Sequence, residues 1–168
     1  HRLRVEAMRI EDYGLIGDMH TAALVGIDGS IDWLCLPRFD SSACFANLLG
    51  TEENGRWRIA PAGNVVAATR RYRPSTLVLE TEFETADGVV RIIDCMPLRV
   101  SHPRIVRVVE GVRGTVPMSV RLNPRFDYGL TNNNNTHAFT AGGNWSAWRG
   151  LGLGATFRYY SGNPVNET

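Results

Sequence analysis

Residues Thr76 to Thr85 alternate without a break: Leu77, Leu79, Thr81 and Phe83 fall on one side, and Val78, Glu80, Glu82 and Glu84 on the other. Successive side chains of a strand point to opposite faces, so this period of two describes one buried and one wet face, as in an antiparallel sheet. An apolar sheet face needs a second layer to cover it, which rules out an isolated ribbon. Ala86-Asp87-Gly88 turns the chain and Val89 to Asp94 returns. A second hairpin is expected between Arg104–Val112 and Val116–Leu122, around Arg113-Gly114-Thr115, and Arg56 to Ala60 reads as a short strand closed by Pro61. Short strands between turn signals, with little helical periodicity, predict an all-β antiparallel sandwich.

The stretch Gly17 to Gly50 is the densest in signals. Thr21 to Val25 is small and apolar, and Ile27-Asp28-Gly29-Ser30 is a turn in which Gly29 takes φ > 0 and Asp28 bonds its own backbone. Ser30 to Leu36 alternates, placing Ile31, Trp33 and Cys35 on one face and Asp32, Leu34 and Leu36 on the other. Pro37 brings no N–H to a ladder and ends the strand. One short helix is expected over about 42–49, capped by Ser41 or Ser42 and stopped at Gly50, with Phe45, Leu48 and Leu49 at helical spacing.

This stretch resembles the N-terminal domain of bacterial glucoamylase- and trehalase-like enzymes of glycoside hydrolase family 15. The likeness rests on Ile16-Gly17-Asp18, Thr21 to Val25, Asp28-Gly29-Ser30-Ile31-Asp32-Trp33, Pro37-Arg38-Phe39-Asp40-Ser41 and Phe45 to Leu49. It continues through Ile93-Asp94-Cys95-Met96-Pro97 and Asn123-Pro124-Arg125-Phe126-Asp127-Tyr128-Gly129, covering about residues 8–130. The resemblance implies a non-catalytic β-sandwich that packs against an (α/α)6 catalytic barrel, which is not in this chain. It also implies a parent that cleaves α-glucosides by inversion. Apolar surface that the barrel would cover then predicts self-association.

Eighteen basic and seventeen acidic side chains leave a net charge of +1, so no global field recruits nucleic acid or an anionic membrane. At 43% hydrophobic residues the chain can bury a core. Cys35, Cys44 and Cys95 lack metal-type spacing and read as free thiols. With no signal peptide visible, they place the protein in the cytoplasm. Residues 1–7 read as a leader ahead of Met8. Residues 131–168 change character: the asparagine tract 132–135 precedes a Gly-rich, aromatic alternation. That part is similar to a hairpin from a TonB-dependent outer-membrane receptor barrel, and equally to an ordinary hairpin completing the sandwich.

Glycoside hydrolysis needs two carboxyl groups flanking the bond, one of them able to donate a proton. Asp18, Asp28, Asp32, Asp40, Glu52 and Glu53 are available, but no spacing marks two of them as a pair, and no catalytic residue is assigned. His20 and His102 have no partner at ligand spacing, so neither a metal nor another cofactor is expected. The sharper candidates are Trp33, Arg38, Phe39 and Asp40: an aromatic face for a sugar ring beside groups that bond hydroxyls. The same four residues serve equally for docking onto the barrel. They also admit a structural use, with Arg38 and Asp40 paired locally, Phe39 plugging the core and Trp33 filling the sandwich. The second Pro-Arg-Phe-Asp, at 124–127, favours a recurrent strand-to-loop device. Two rival readings remain. An autonomous carbohydrate-binding module would show coplanar surface tryptophans among Trp33, Trp57, Trp145 and Trp148; the abrupt change near Leu130 favours an inactive, structural or chimeric fragment.

Overall fold

The computed structural model describes residues 8–125, together with the backbone of two strands at 136–145 and 153–162. The leader at 1–7, Phe126 and Asp127 of the second tetrapeptide, the asparagine tract and Trp148 lie outside the described residues. Two antiparallel sheets face each other. The first contains β1 (Tyr13–Gly17), β2 (Ala22–Gly26), β3 (Ser30–Cys35), β4 (Ala43–Phe45), β5 (Arg56–Pro61) and β10 (Met118–Asn123). Its order is β1-β2-β3-β5-β10, with β4 also pairing β3. The second contains β6 (Val65–Tyr72), β7 (Leu79–Thr85), β8 (Gly88–Cys95), β9 (Arg104–Gly114), β11 (Thr136–Trp145) and β12 (Leu153–Gly162), in the order β11-β12-β9-β8-β7-β6. This is the all-β sandwich expected. The tail strands continue the second sheet through β12 on β9, from Leu153 opposite Val109 to Arg158 opposite Arg104.

Between the sheets lie Ile16, Val25, Ile31, Leu34, Phe45 and Trp57 from the first, and Leu79, Phe83, Ile92 and Ile105 from the second, all essentially inaccessible to water. The predicted β7–β8 hairpin forms in register, Leu79 opposite Asp94 through Thr85 opposite Gly88. Gly29 adopts φ 82, and its N–H donates to Gly26 O at 3.0 Å. A Cβ there would sit 2.1 Å from Ile59 O, so the turn needs glycine for space as well as for conformation.

The local pattern misled in four places. The helix expected over 42–49 is instead β4 followed by a single 3-10 turn, Asn47–Leu49. Phe45 enters the core and Ala43 and Ala46 pack against Cys35, while Leu48 and Leu49 are exposed. The free edge of β3 beyond its pairing with β5 captures this segment as a strand. The second predicted hairpin does not form either: β10 crosses to the other sheet and pairs β5, with Ala62 N donating to Pro117 O at 2.8 Å. Pro117 brings no donor of its own. In β3, Leu24 opposes Trp33 and Val25 opposes Ile31, leaving Asp32 as an extra residue. This bulge reverses the phase, so Ile31 joins Leu34 and Leu36 in the core while Trp33 and Cys35 face away. Finally, the predicted wet face of β7 is covered at Glu80, which lies buried under Arg71 and Arg73 of the unpredicted β6 and the turn after it.

Candidate functional site at one end of the sandwich

Three loops converge beyond the ends of β1, β3 and β8, and Asp18 joins two of them. Its Oδ1 accepts from His20 N at 3.0 Å and Thr21 N at 2.9 Å, closing the β1–β2 turn on itself. Its Oδ2 accepts from Arg99 Nε at 2.8 Å and lies 2.7 Å from Nη2 as an ion pair, tying in the β8–β9 loop from the opposite sheet. Thr21 Oγ1 donates to Cys35 O at 2.6 Å, and Phe39 N donates to His20 O at 3.1 Å, so the β3–β4 loop joins the same assembly.

Arg38, Phe39 and Asp40 stand together on that third loop. Ser41 N donates to Arg38 O at 3.1 Å, Arg38 N donates to Ser41 Oγ at 3.1 Å, and Arg38 Nε meets Asp40 Oδ1 at 3.0 Å in the open. The local ion pair anticipated from sequence is therefore present. Phe39 is not a core plug: it is 63% exposed, because the turn around it aims the ring outward. Trp33 is half-buried against Cys35, Ala43 and Ala46. The other two loops expose Met19 (80%), Leu98 (76%) and Val100 (94%). Met19 sits at φ 74, a conformation that costs a non-glycine residue roughly 1 kcal/mol.

The buried carboxylates are each held by arginine. Asp94 and Arg107 form a two-point pair at 2.7 and 3.2 Å, wholly inside the sandwich. Arg107 also donates to Trp57 O at 2.9 Å and Gly29 O at 2.8 Å, with its guanidinium 5.2 Å from the centre of the Trp57 ring. One arginine of the second sheet thus fastens two strand ends of the first. Trp57, buried here, is unavailable to any surface platform.

Asp32 accepts from Tyr13 Oη at 2.9 Å and Arg56 Nε at 3.1 Å. Burial, reinforced by Asp32, pushes the Tyr13 phenol well above its ordinary value. Burial alone would lower Arg56, but Asp32 and Asp28 outweigh it and raise that guanidinium. Hydrogen bonds from Arg73 and then Arg71 hold Glu80 below the usual carboxylate range. A proton-donating carboxyl needs an apolar setting or a like charge nearby, which is the reverse of a guanidinium partner. Among the described residues, no three His, Cys, Asp or Glu side chains gather as a metal ligand set, and no helix is long and apolar enough to cross a membrane.

Sequence reasoning missed Asp18 as a hub, Arg99 as its partner, and the Asp94–Arg107 pair. The last was legible in principle. Asp94 follows Val90 and Ile92 at strand parity, and Arg107 lies between Ile105 and Val109, so opposite charges occupy core-facing positions on adjacent strands.

The loops at this end of the sandwich thus carry exposed apolar side chains, and the buried acids of the domain are tied up by arginines. The family model for the trehalase-like N-terminal domain matches residues 3–138. The chain belongs to this family. As a trehalase-like N-terminal domain it is 34% identical over 138 residues to a trehalase of Mycolicibacterium smegmatis, covering 71% of this chain and 20% of that protein. It is 35% identical over 127 residues to a trehalase of Thermoplasma volcanium, covering 72% of this chain and 20% of the relative. With trehalase 2 of Sulfolobus acidocaldarius it shares 36% over 121 residues, covering 72% and 19%. The chain therefore spans about a fifth of the length of the curated relatives it matches. No solved structure is significantly similar to it.

Proposed function

We propose that this chain is the non-catalytic N-terminal domain of a cytoplasmic, trehalase-like α-glucoside hydrolase of glycoside hydrolase family 15. Both catalytic carboxylates would reside in an (α/α)6 barrel that follows, and the loop Arg38-Phe39-Asp40 would reach the rim of its cleft or the barrel surface beside it. The observation that carries this reading is the pair of matches: a model of a trehalase-like N-terminal domain fills most of this chain, and the chain spans only about a fifth of the trehalases it matches. The loop geometry supports a role outside the domain, since a phenylalanine held out by a hydrogen-bonded turn adds nothing to its own core.

The test is a titration of the purified chain with trehalose, maltose and maltotriose, followed by NMR, with glucose release assayed on the same sample. No release is expected. Saturable binding abolished by Arg38→Ala, with dispersion of the spectrum retained, assigns the loop to substrate; absence of both binding and release leaves a structural partner domain. Glucose release that co-purifies with the chain would refute the proposal.

A further inference from the structure

Two strand edges lie side by side along one flank of the sandwich, β1 of the first sheet and β6 of the second, and only one of them is covered. Tyr72 Oη accepts from Leu15 N at 2.7 Å and donates to Leu15 O at 3.0 Å. Arg70 Nη1 donates to Asp12 O at 2.8 Å and to Val25 O at 3.0 Å. Side chains of β6 thus take up backbone groups of β1 that a further strand would need. The edge of β6 has no such cover. Arg73 N donates to Val78 O at 2.9 Å, in the same register that sets Arg71 opposite Glu80, Thr69 opposite Glu82 and Ala67 opposite Glu84. Opposed residues of an antiparallel ladder alternate between those that exchange backbone bonds and those that do not. By that alternation Arg71, Thr69 and Ala67 bond β7, while the N–H and C=O of Ala68, Arg70 and Tyr72 point to the open side. Among the described residues, no strand pairs β6 there.

A row of open backbone groups is a template for an added strand. Its limits are the β-bulge between Val65 and Ala67 at one end and Pro74 at the other. The stretch between them, 68–72, is its own complement. Run antiparallel to itself about Arg70, it sets Tyr72 opposite Ala68 on the inner side and Arg71 opposite Thr69 on the outer side, so each bulky group meets a small one. Arg71 keeps Glu80 as its ion-pair partner. Arg70 meets Arg70, but its guanidinium already lies on the carbonyls of Asp12 and Val25, across on the first sheet. In this register all three open residues exchange backbone bonds with the other copy.

We propose that β6 is a dimerisation edge on which a second copy of this chain pairs antiparallel over 68–72, joining the two second sheets into one. A two-fold axis at Arg70 makes the contact isologous, so it closes at two copies and does not propagate into a fibre.

The experiment is sedimentation velocity of this chain from low to high micromolar concentration, with amide hydrogen exchange followed by NMR at both extremes. A dimer is expected at high concentration. With it, exchange at Ala68, Arg70 and Tyr72 should slow at least about tenfold relative to the dilute chain, while Thr69 and Arg71, bonded to β7, stay protected at both. Ala68→Pro removes an N–H that β7 does not use and should give a monomer. Thr69→Arg gains Glu82 opposite it in its own chain, but sets a cation against Arg71 of the second copy twice across the axis. It should weaken the dimer roughly fivefold.

A monomer at every concentration overturns the proposal. So does a dimer in which those three amides exchange as fast as in the dilute chain, or one that both variants leave intact, because the interface then lies elsewhere. Protection of the three amides in the monomer gives the edge to another segment of the same chain and overturns it as well. Should Ala68→Pro unfold the domain, Thr69→Arg and the exchange rates decide.

Discussion

Replacing Arg107 by methionine keeps much of the side-chain volume while removing the charge at the centre of the sandwich. Asp94 would then be a wholly buried carboxylate facing no cation, and Trp57 O and Gly29 O would each lose a donor. Breaking one side of a buried pair costs about 3–5 kcal/mol, chiefly through the stranded charge. Gly29 O retains the N–H of Ile59 at 3.1 Å, so the orphaned acceptors add less than the ion. At about 4 °C per kcal/mol for a domain of this size, the melting temperature should fall by roughly 10–20 °C. Far-UV circular dichroism against temperature and urea checks this. Arg107→Met with Asp94→Leu should recover much of the loss, because an apolar pair strands no charge. The cycle of the two single variants and the double should then show a coupling of about 2 kcal/mol or more. A melting temperature for Arg107→Met within about 2 °C of the parent would refute the reasoning. It would mean that losing Arg107 strands no uncompensated charge inside the sandwich.

Three further outcomes follow from the same geometry. Gly29→Ala should destabilise by at least about 2 kcal/mol in urea melts, since a left-handed alanine must also push Ile59 O away; an unchanged midpoint would contradict the close approach. Because its two arginines depress Glu80 in the folded state, the stability it contributes is complete above the ordinary carboxylate value of about 4.5 and is lost as pH falls through the lower folded value. Glu80→Gln should therefore flatten the acid limb of a pH–stability curve, and an unaltered limb would remove the arginines from the account. Burial raises the thiols of Cys35 and Cys44 and, with Asp94, that of Cys95; a thiol reagent at pH 8 should label the native chain slowly and all three cysteines at once in denaturant. Rapid native labelling of Cys44 would place it outside the core.

Local chemistry made some elements legible. Strict alternation from Leu79 to Thr85 with the Asp87-Gly88 turn specified a hairpin whose partners lie within the same short stretch, and the Asp28-Gly29 turn declared its own backbone geometry. Pro37-Arg38-Phe39-Asp40 marks a loop by its composition, and Arg38, Phe39 and Asp40 stand exposed on that loop in the structure. Elsewhere local preference was too weak to choose. Ala43 to Leu49 has spacing compatible with a helical turn, yet the open edge of β3 offered backbone partners and took it as strand. Arg113-Gly114-Thr115 resembles a hairpin turn, yet β10 found β5.

The sequence by itself determined an all-β chain of short antiparallel strands and the loop that carries Arg38, Phe39 and Asp40, because side-chain parity and turn chemistry act between near neighbours. Only the tertiary structure decided which edges pair, where Asp32 bulges, and that Arg99 reaches Asp18 and Arg107 reaches Gly29. Those contacts join residues 81 and 78 positions apart, and a distance that long leaves no period in the sequence. They form because a buried charge must find its partner wherever the packing of two sheets brings one.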